Sequence, residues 1–231
     1  MSKMLTERFE RLNALVQVNG ASKYLEIGVD SGRTFTKVEA PYKVGVDPNF
    51  KFDTSRYADS NTRFHDVTSD DFFAKHASMH GAFDLIYLDG LHTFEQTFRD
   101  FCASLTFAHS RTIWLIDDTN PTGILAMNPD YRLAYRLRRL LRIKDRRWMG
   151  DIFKVVFAIR DFFPQFSYAT FPEHGQTVVW YGTRENFEPK WNSLKKISNL
   201  GYRDFLVSKD ELVIMPPAEL VARLNSRFER N

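Results

Sequence analysis

The chain has 231 residues, and a composition of 43% hydrophobic and 15% aromatic residues excludes wholesale disorder and allows one large domain with a sizeable core. A formal net charge of +3 is too small to indicate a nucleic-acid-binding protein by itself. Because Cys102 is the only cysteine, an intrachain disulfide is excluded, which favours a reducing compartment.

The N-terminal region mixes charged and apolar residues and lacks the uninterrupted apolar core of a signal peptide. No stretch of the sequence reaches the roughly 18 apolar residues that a membrane-spanning helix needs. We therefore expect a soluble, cytoplasmic protein without a membrane span.

Hydrophobic periodicity predicts alternating helices and strands through the first half of the chain. An amphipathic helix is predicted within residues 1–20, and further helices are predicted to begin near Arg33, Ser69 and Thr93. Strands separated by helices of this length are typical of a parallel, doubly wound α/β sheet. The predicted strands of this half are 23–29, 43–46, 63–67, 83–88 and 111–116.

The pattern changes after the fifth predicted strand. Residues 119–163 predict a helical insertion that would act as a lid, with a basic helix over 131–147 and a second helix over 148–163. Two strands, 166–171 and 177–181, are joined by a connection too short for a crossover helix, so they should pair antiparallel. Residues 186–231 predict a C-terminal helical extension. We expect one domain over residues 1–231.

Acids and glycines follow the first strands in a pattern that predicts a nucleotide-like cofactor. Glu26 ends the first strand and is followed by Gly28 and Gly32, where glycine lets backbone N–H groups approach a ligand. Asp47 ends the second strand, where a carboxylate can accept both hydrogen bonds of a ribose diol. Asp66, near the end of the third, is a candidate either for the adenine amine or for a capping role.

The alternatives for this turn are a purely structural strand-to-helix connection, a nicotinamide dinucleotide site and an S-adenosylmethionine site. A dinucleotide site usually has the spacing Gly-x-Gly-x-x-Gly, which this turn lacks. The successive acids and the antiparallel final hairpin therefore favour S-adenosylmethionine.

Three acids should meet at one edge of the sheet. Asp89 ends the fourth predicted strand, and Asp117 and Asp118 end the fifth. Neighbouring strands lie ~4.8 Å apart. Without a cation these carboxylates would repel one another and at least one pKa would rise. Mg²⁺ or another divalent cation would resolve the repulsion, and Asn120 is an alternative to Asp118 as a ligand.

The segments 24–34, 44–47 and 84–92 together resemble class I S-adenosylmethionine-dependent methyltransferases, over roughly residues 20–185. The resemblance implies a Rossmann-like, seven-stranded sheet whose last strand is antiparallel. It also implies that Glu26, Gly28 and Gly32 lie near the methionine part of the cofactor and Asp47 on the ribose. Asp66 and Asp89 are further candidates for cofactor contacts.

The strand-end acids and the Asp-x-x-His spacing of Asp89 and His92 are similar to the metal-dependent O-methyltransferases, including those that act on macrolide sugars. This resemblance implies that Asp89, Asp117 and Asp118 bind the metal and that His92 is the general base. We therefore predict an O-methyltransferase whose acceptor is a small-molecule hydroxyl, most simply one of a vicinal diol on a sugar or natural product.

Other interpretations stay open at this point. The enzyme would be metal-independent if His92 or an acid served alone as the base, and the paired acids would then be solvated strand ends or caps. The basic residues of 132–147 fit a solvated helix, a lid for an acidic substrate, or contact with RNA or an anionic membrane. A nicotinamide-dependent enzyme is a further rival. Nucleic acid is not the expected partner. The sequence leaves the oligomeric state open, and a homo-oligomer is one of the possibilities.

Overall fold

Seven short strands form the centre of the protein, and the computed structural model describes residues 5–172 and 175–229. Their order in the sheet is β3-β2-β1-β4-β5-β7-β6, and β7 runs antiparallel to both of its neighbours while the other pairings are parallel. The predicted doubly wound sheet with an antiparallel last strand is therefore confirmed. The strands are β1 Lys23–Ile27, β2 Tyr42–Val46, β3 Thr62–His65, β4 Leu85–Leu88, β5 Ile113–Ile116, β6 Phe166–Thr170 and β7 Thr177–Tyr181.

Helices cover both faces of this sheet because the central strands are apolar on both sides. In β4, Ile86 and Leu88 belong to one hydrophobic core and Leu85 and Tyr87 to the other, as the two-residue period of a strand requires. The first core packs against α3, α5, α6 and α7, and the second against α1 and α8. The helices are α1 Arg8–Asn19, α2 Ser69–Asp71, α3 Phe94–Ser104, α4 Tyr131–Leu140, α5 Phe153–Phe162, α6 Leu194–Ser198, α7 Tyr202–Val207 and α8 Pro217–Phe228.

The helix predicted to begin near Arg33 is wrong, since this connection contains only a short 3-10 turn at Phe35–Lys37. Its sequence explains the difference. Thr34, Thr36 and Val38 are β-branched and form helices poorly, and Pro41 disfavours a helical conformation at the residue before it.

The insertion is also less helical than predicted. The basic helix ends at Leu140 rather than at 147, with Arg142 at φ +54°, and the next helix begins at Phe153 rather than at 148. Gly150, at φ +60°, lies in the non-helical stretch between these two helices. Within the described residues, no helix is long and apolar enough to cross a membrane.

Three histidines lie together beside β3. His65 Nε2 and His80 Nε2 are 2.9 Å apart, and the hydroxyl of Tyr42 is 2.8 Å from His80 Nδ1. His76 lies alongside, with its ring centre 5.1 Å from that of His65. Burial, followed by the charges of His65 and other neighbours, lowers the pKa of His80 to about 4, and burial and His76 lower the pKa of His65.

We expect the contribution of His80 to the free energy of unfolding to fall as the pH is lowered from 6.5 towards 4, and His80→Gln to lose this contribution. In this window the unfolded chain protonates His80 while the folded chain keeps it neutral, so acid favours the unfolded state. Each such histidine contributes a slope of up to about 1.4 kcal/mol per pH unit. Urea unfolding across this range measures the slope. A His80→Gln variant with an unchanged slope would show that another group carries the effect.

Candidate active site

The carboxyl ends of β1, β2, β4 and β5 meet at one edge, where ligands bind in open α/β sheets. Backbone hydrogen bonds fix this edge. Asp89 N donates to Ile27 O at 2.9 Å and Asp117 N donates to Leu88 O at 3.1 Å. Gly28 N donates to Val46 O at 2.9 Å. The residues that follow the strands are consequently held in register with one another.

A cleft of about 720 Å³ opens at this edge, a size typical of small-molecule sites. Gly28, Asp47, Asp89 and His92, all predicted site residues, line it. Trp148, for which the sequence offered a substrate wall or a core helix face, also lines it. The sequence analysis did not single out the other polar lining residues, which are Asp30, Lys51, Thr68, Ser69, Asp70 and Gln96. Only the position of Thr68–Asp70 just beyond a strand end could have indicated part of this wall.

Asp47 holds the Gly28 turn in place. Its Oδ2 accepts a hydrogen bond from Asp30 N at 2.8 Å, and its Oδ1 accepts one from Asn49 N at 2.8 Å. A carboxylate oxygen has a second acceptor position, so both oxygens can still receive a ribose hydroxyl.

Three predicted cofactor residues are not part of the cleft lining. Glu26 is 1% exposed and accepts a hydrogen bond from Tyr24 Oη at 2.5 Å, and burial raises its pKa to about 8. Gly32 lies against the ring of Phe52. Asp66 is exposed on the surface.

Asp117 is fully buried and already has a cationic partner. Its Oδ2 lies 2.5 Å from Arg8 Nη2 and 3.0 Å from the hydroxyl of Tyr87, which is itself 3.2 Å from Asp89 Oδ2. Its Oδ1 is buried without a hydrogen-bond partner among the described residues. Asn120 Oδ1, the predicted alternative ligand, is likewise buried and unpartnered in that part of the chain.

Asp89, His92 and Asp118 converge on one point. His92 Nδ1 is 2.9 Å from Asp118 Oδ2, and His92 Nε2 is 3.6 Å from Asp89 Oδ1. One potential ligand atom from each of the three residues lies within 4.8 Å of the others. Asp118 is held at φ +56°, a conformation that few residues other than glycine adopt, so the turn after β5 places this carboxylate at the cost of backbone strain.

Burial and mutual repulsion make this cluster electrostatically unusual. Burial, followed by the charge of Asp117, raises the pKa of Asp89 and that of Asp118. Burial disfavours the charged form of His92, but Asp118 and Asp117 outweigh it and the pKa of His92 is raised. The cluster therefore favours positive charge, whether from a proton, a guanidinium or a metal ion.

Arg8, which lines the site from the start of α1, was missed by the sequence analysis. Arg8, Arg11, Leu12 and Leu15 share one stripe of α1, so the two arginines face the sheet together with the leucines. Arg11 is 1% exposed and its Nη1 donates to Gln176 Oε1 at 2.9 Å. Arginines on the apolar stripe of a helix were the available signal.

A second cavity, of about 380 Å³, adjoins the cleft and is separated from it by His92 and Trp148, which line both. The two rings are stacked, with centres 4.9 Å apart and planes 7° from parallel. Gly150 packs so closely on the His92 carbonyl that an added Cβ would overlap it. The remaining lining residues are Thr6, Glu7, Arg8, Asp118, Thr122, Arg147 and Met149.

The strand order and the antiparallel β7 are those of the class I methyltransferase fold, and the cleft lies beyond β1, β2 and β4. Residues 25–119 match the family model Methyltransf_24, described as a methyltransferase domain. This confirms the predicted class and leaves the nicotinamide alternative without support. No curated protein matches the chain.

Solved structures share the fold at low sequence identity. A Staphylococcus aureus protein assigned as a caffeoyl-CoA O-methyltransferase is 12% identical, with a TM-score of 0.54 over 75% of this chain and 82% of that one. A Klebsiella pneumoniae protein assigned as an O-methyltransferase is 13% identical, with a TM-score of 0.51 over 79% and 83%. The SAH-bound methyltransferase PaMTH1 of Podospora anserina is 14% identical, with a TM-score of 0.54 over 76% and 78%.

Proposed function

We propose that the protein transfers a methyl group from S-adenosylmethionine to a hydroxyl of a small molecule, with the help of a divalent cation. The observation that carries this proposal is the convergence of Asp89, His92 and Asp118 at the wall between two cavities. A base and an acidic cation site placed there lie between a cofactor cleft and a space for the acceptor. Methyltransferases that share the fold and are assigned to oxygen acceptors support the same reaction.

The acidic residues fit a hard divalent cation such as Mg²⁺. Carboxylate oxygens are its preferred ligands, and Asp89 and Asp118 would supply them. Asp117 would add Oδ1, whose burial without a partner is costly unless some cation compensates it. When bound, the metal would supply Lewis-acid assistance by lowering the pKa of an acceptor hydroxyl.

His92 is the proposed base. Its Nδ1 lies 2.9 Å from Asp118 Oδ2, so a carboxylate stands beside the imidazole and stabilises the ring once it has accepted a proton. Stacking on Trp148 and packing under Gly150 hold the ring at the boundary of both cavities. Fixed geometry of this kind supplies much of the rate in a bimolecular transfer.

The second cavity fits a compact polar acceptor. At about 380 Å³ it is near the lower end of ligand sites, and its wall combines two arginines, two threonines and an aromatic ring. We infer an acceptor with neighbouring hydroxyls, such as a sugar or a hydroxylated natural product. The cytoplasmic location, the absence of a nucleic-acid partner and a homo-oligomeric state stay predictions.

A metal-independent methyltransferase is the second candidate, and Arg8 favours it. The guanidinium lies 2.5 Å from Asp117 Oδ2 and 4.0 Å from Asp118 Oδ1, so the cluster already contains one resident positive charge. In this case Arg8 would neutralise the acids and His92 would act without metal assistance.

Titration with S-adenosylhomocysteine and Mn²⁺, together with methyl-transfer assays on a panel of vicinal diols, tests the proposal. We expect S-adenosylhomocysteine to bind without metal, because the contacts proposed for Gly28 and Asp47 do not involve the cation. Asp118→Asn should weaken Mn²⁺ binding at least tenfold, and a chelator should lower methyl transfer on the order of 100-fold. Asp210→Asn, an exposed acid outside the site, is the control.

Failure to bind S-adenosylhomocysteine would contradict the methyltransferase assignment. Methyl transfer that survives a chelator and Asp118→Asn at full rate would contradict the metal and favour the candidate with Arg8 as the resident cation. Transfer to nitrogen or carbon acceptors only would contradict the hydroxyl acceptor.

A further inference from the structure

Residues 131–147, called the basic segment from here on, cover little of the protein and expose much of their own apolar surface. Leu140 is 77% exposed, Leu141 60% and Tyr135 52%. Within α4 only Ala134 and Arg138 are buried. Apolar side chains clustered on a surface in this way mark a site of interaction.

The exposed residues of α4 fall into three adjacent stripes, of which the one on the far side of the arginines is formed by Tyr131 and Tyr135. Arg132, Arg136 and Arg139 follow one another at helical spacing, and Leu133, Leu137, Leu140 and Leu141 form a second row beside them. A cationic row next to an aliphatic row is the pattern of helices that lie in a membrane interface, with arginines at the headgroups and leucines in the acyl region.

The cations of the basic segment are not neutralised by the protein. Asp145, its one internal acid, is bound by Arg147 at 2.9 Å. Six other cations, all exposed, make no side-chain hydrogen bond or ion pair with any residue in 5–172 or 175–229; they are Arg132, Arg136, Arg139, Arg142, Lys144 and Arg146. Such an excess of charge is complementary to an anionic surface.

We propose that the basic segment docks on an anionic lipid bilayer. The aliphatic residues decide between a bilayer and RNA, the other polyanion that the charges would fit. Nucleic acids are bound through phosphate contacts and stacking on aromatic rings, for which Tyr131 and Tyr135 are exposed. The more numerous exposed aliphatic residues, Leu133, Leu140, Leu141 and Ile143, would gain little there. In the interface of a bilayer each of them would be removed from water.

Flotation with phosphatidylcholine vesicles, prepared with and without phosphatidylglycerol, tests this docking. We expect binding only to the anionic vesicles, because phosphatidylcholine is zwitterionic and only phosphatidylglycerol gives the surface the net negative charge that attracts the row of arginines. Arg132→Gln/Arg136→Gln/Arg139→Gln and Leu133→Ser/Leu140→Ser/Leu141→Ser should each weaken binding at least tenfold. The matched control is Lys195→Gln/Lys196→Gln/Arg203→Gln, which removes three exposed cations elsewhere and should bind as the parent does.

Circular dichroism and S-adenosylhomocysteine binding would check that the variants are folded. Because the replaced side chains are exposed, the comparison then concerns docking alone. The absence of binding to anionic vesicles would overturn the proposal, as would equal binding to neutral ones. Binding that depends on the arginines but not on the leucines would also overturn it and would indicate a general polyanion site such as one for RNA. The vesicle measurement needs no turnover, so it is independent of the proposed reaction.

Discussion

His92→Ala is expected to lower the rate of methyl transfer by about 10²–10³-fold, with a much smaller effect on the affinity for S-adenosylhomocysteine. General bases contribute factors of this order, and His92, which lines both cavities, is a side chain that can accept a proton near neutral pH. Steady-state kinetics with saturating cofactor measure the rate, and calorimetry with S-adenosylhomocysteine measures the affinity. The acids and Arg8 stay in place in this variant, so a lost rate reports the imidazole.

His92→Gln separates base catalysis from positioning, because glutamine retains hydrogen bonding but cannot accept a proton near neutral pH. We expect it to be as slow as the alanine variant. His76→Ala, whose ring lies beside His65 outside both cavities, is the control and should keep the parent rate. A glutamine variant at the parent rate would remove His92 from proton transfer and leave only its contacts with Asp118 and Trp148.

The positions of Asp89, His92 and Asp117 at the edge of the sheet follow from local sequence. Apolar runs end at Asp89 and at Asp117, and parallel strands align their carboxyl ends, so the meeting of these acids could be predicted from periodicity alone. The same reasoning placed His92 at the start of a helix beside them. What it could not give is which oxygen faces which neighbour, and Asp117 in fact directs Oδ2 to Arg8.

Residues brought from far along the chain were the ones missed. Arg8 approaches β5 because α1 packs on the sheet, and Trp148 approaches His92 because the insertion folds back over it. The contact between Trp148 and His92 leaves no mark in nearby sequence, and for Arg8 the signal was the placement of arginines on the apolar stripe of α1. Glu26 lies outside the cleft lining for a different reason. Along β1 its side chain points to the same side as Tyr24, which donates a hydrogen bond to it, and away from Ile27 in the cleft lining.

Gly28→Ala is expected to lower the free energy of unfolding by about 2–4 kcal/mol and to abolish measurable binding of S-adenosylhomocysteine. Gly28 has φ +89°, which an alanine adopts only with strain. An added Cβ would overlap the Asp89 carbonyl and lie 2.6 Å from Gly90 Cα. Urea unfolding and calorimetry measure the two effects.

The backbone around Gly28 has little freedom to relieve this overlap. Gly28 N is bound to Val46 O and Asp89 N to Ile27 O, both at 2.9 Å, so moving either strand end breaks hydrogen bonds between neighbouring strands. Gly123→Ala is the matched control, because its Cβ would meet nothing within 4 Å and its φ is not positive. If Gly28→Ala instead matched this control in stability and cofactor affinity, the edge between β1 and β4 would be able to open by the width of a methyl group. Asp89 would then not be held rigidly enough to share a site with His92 and Asp118.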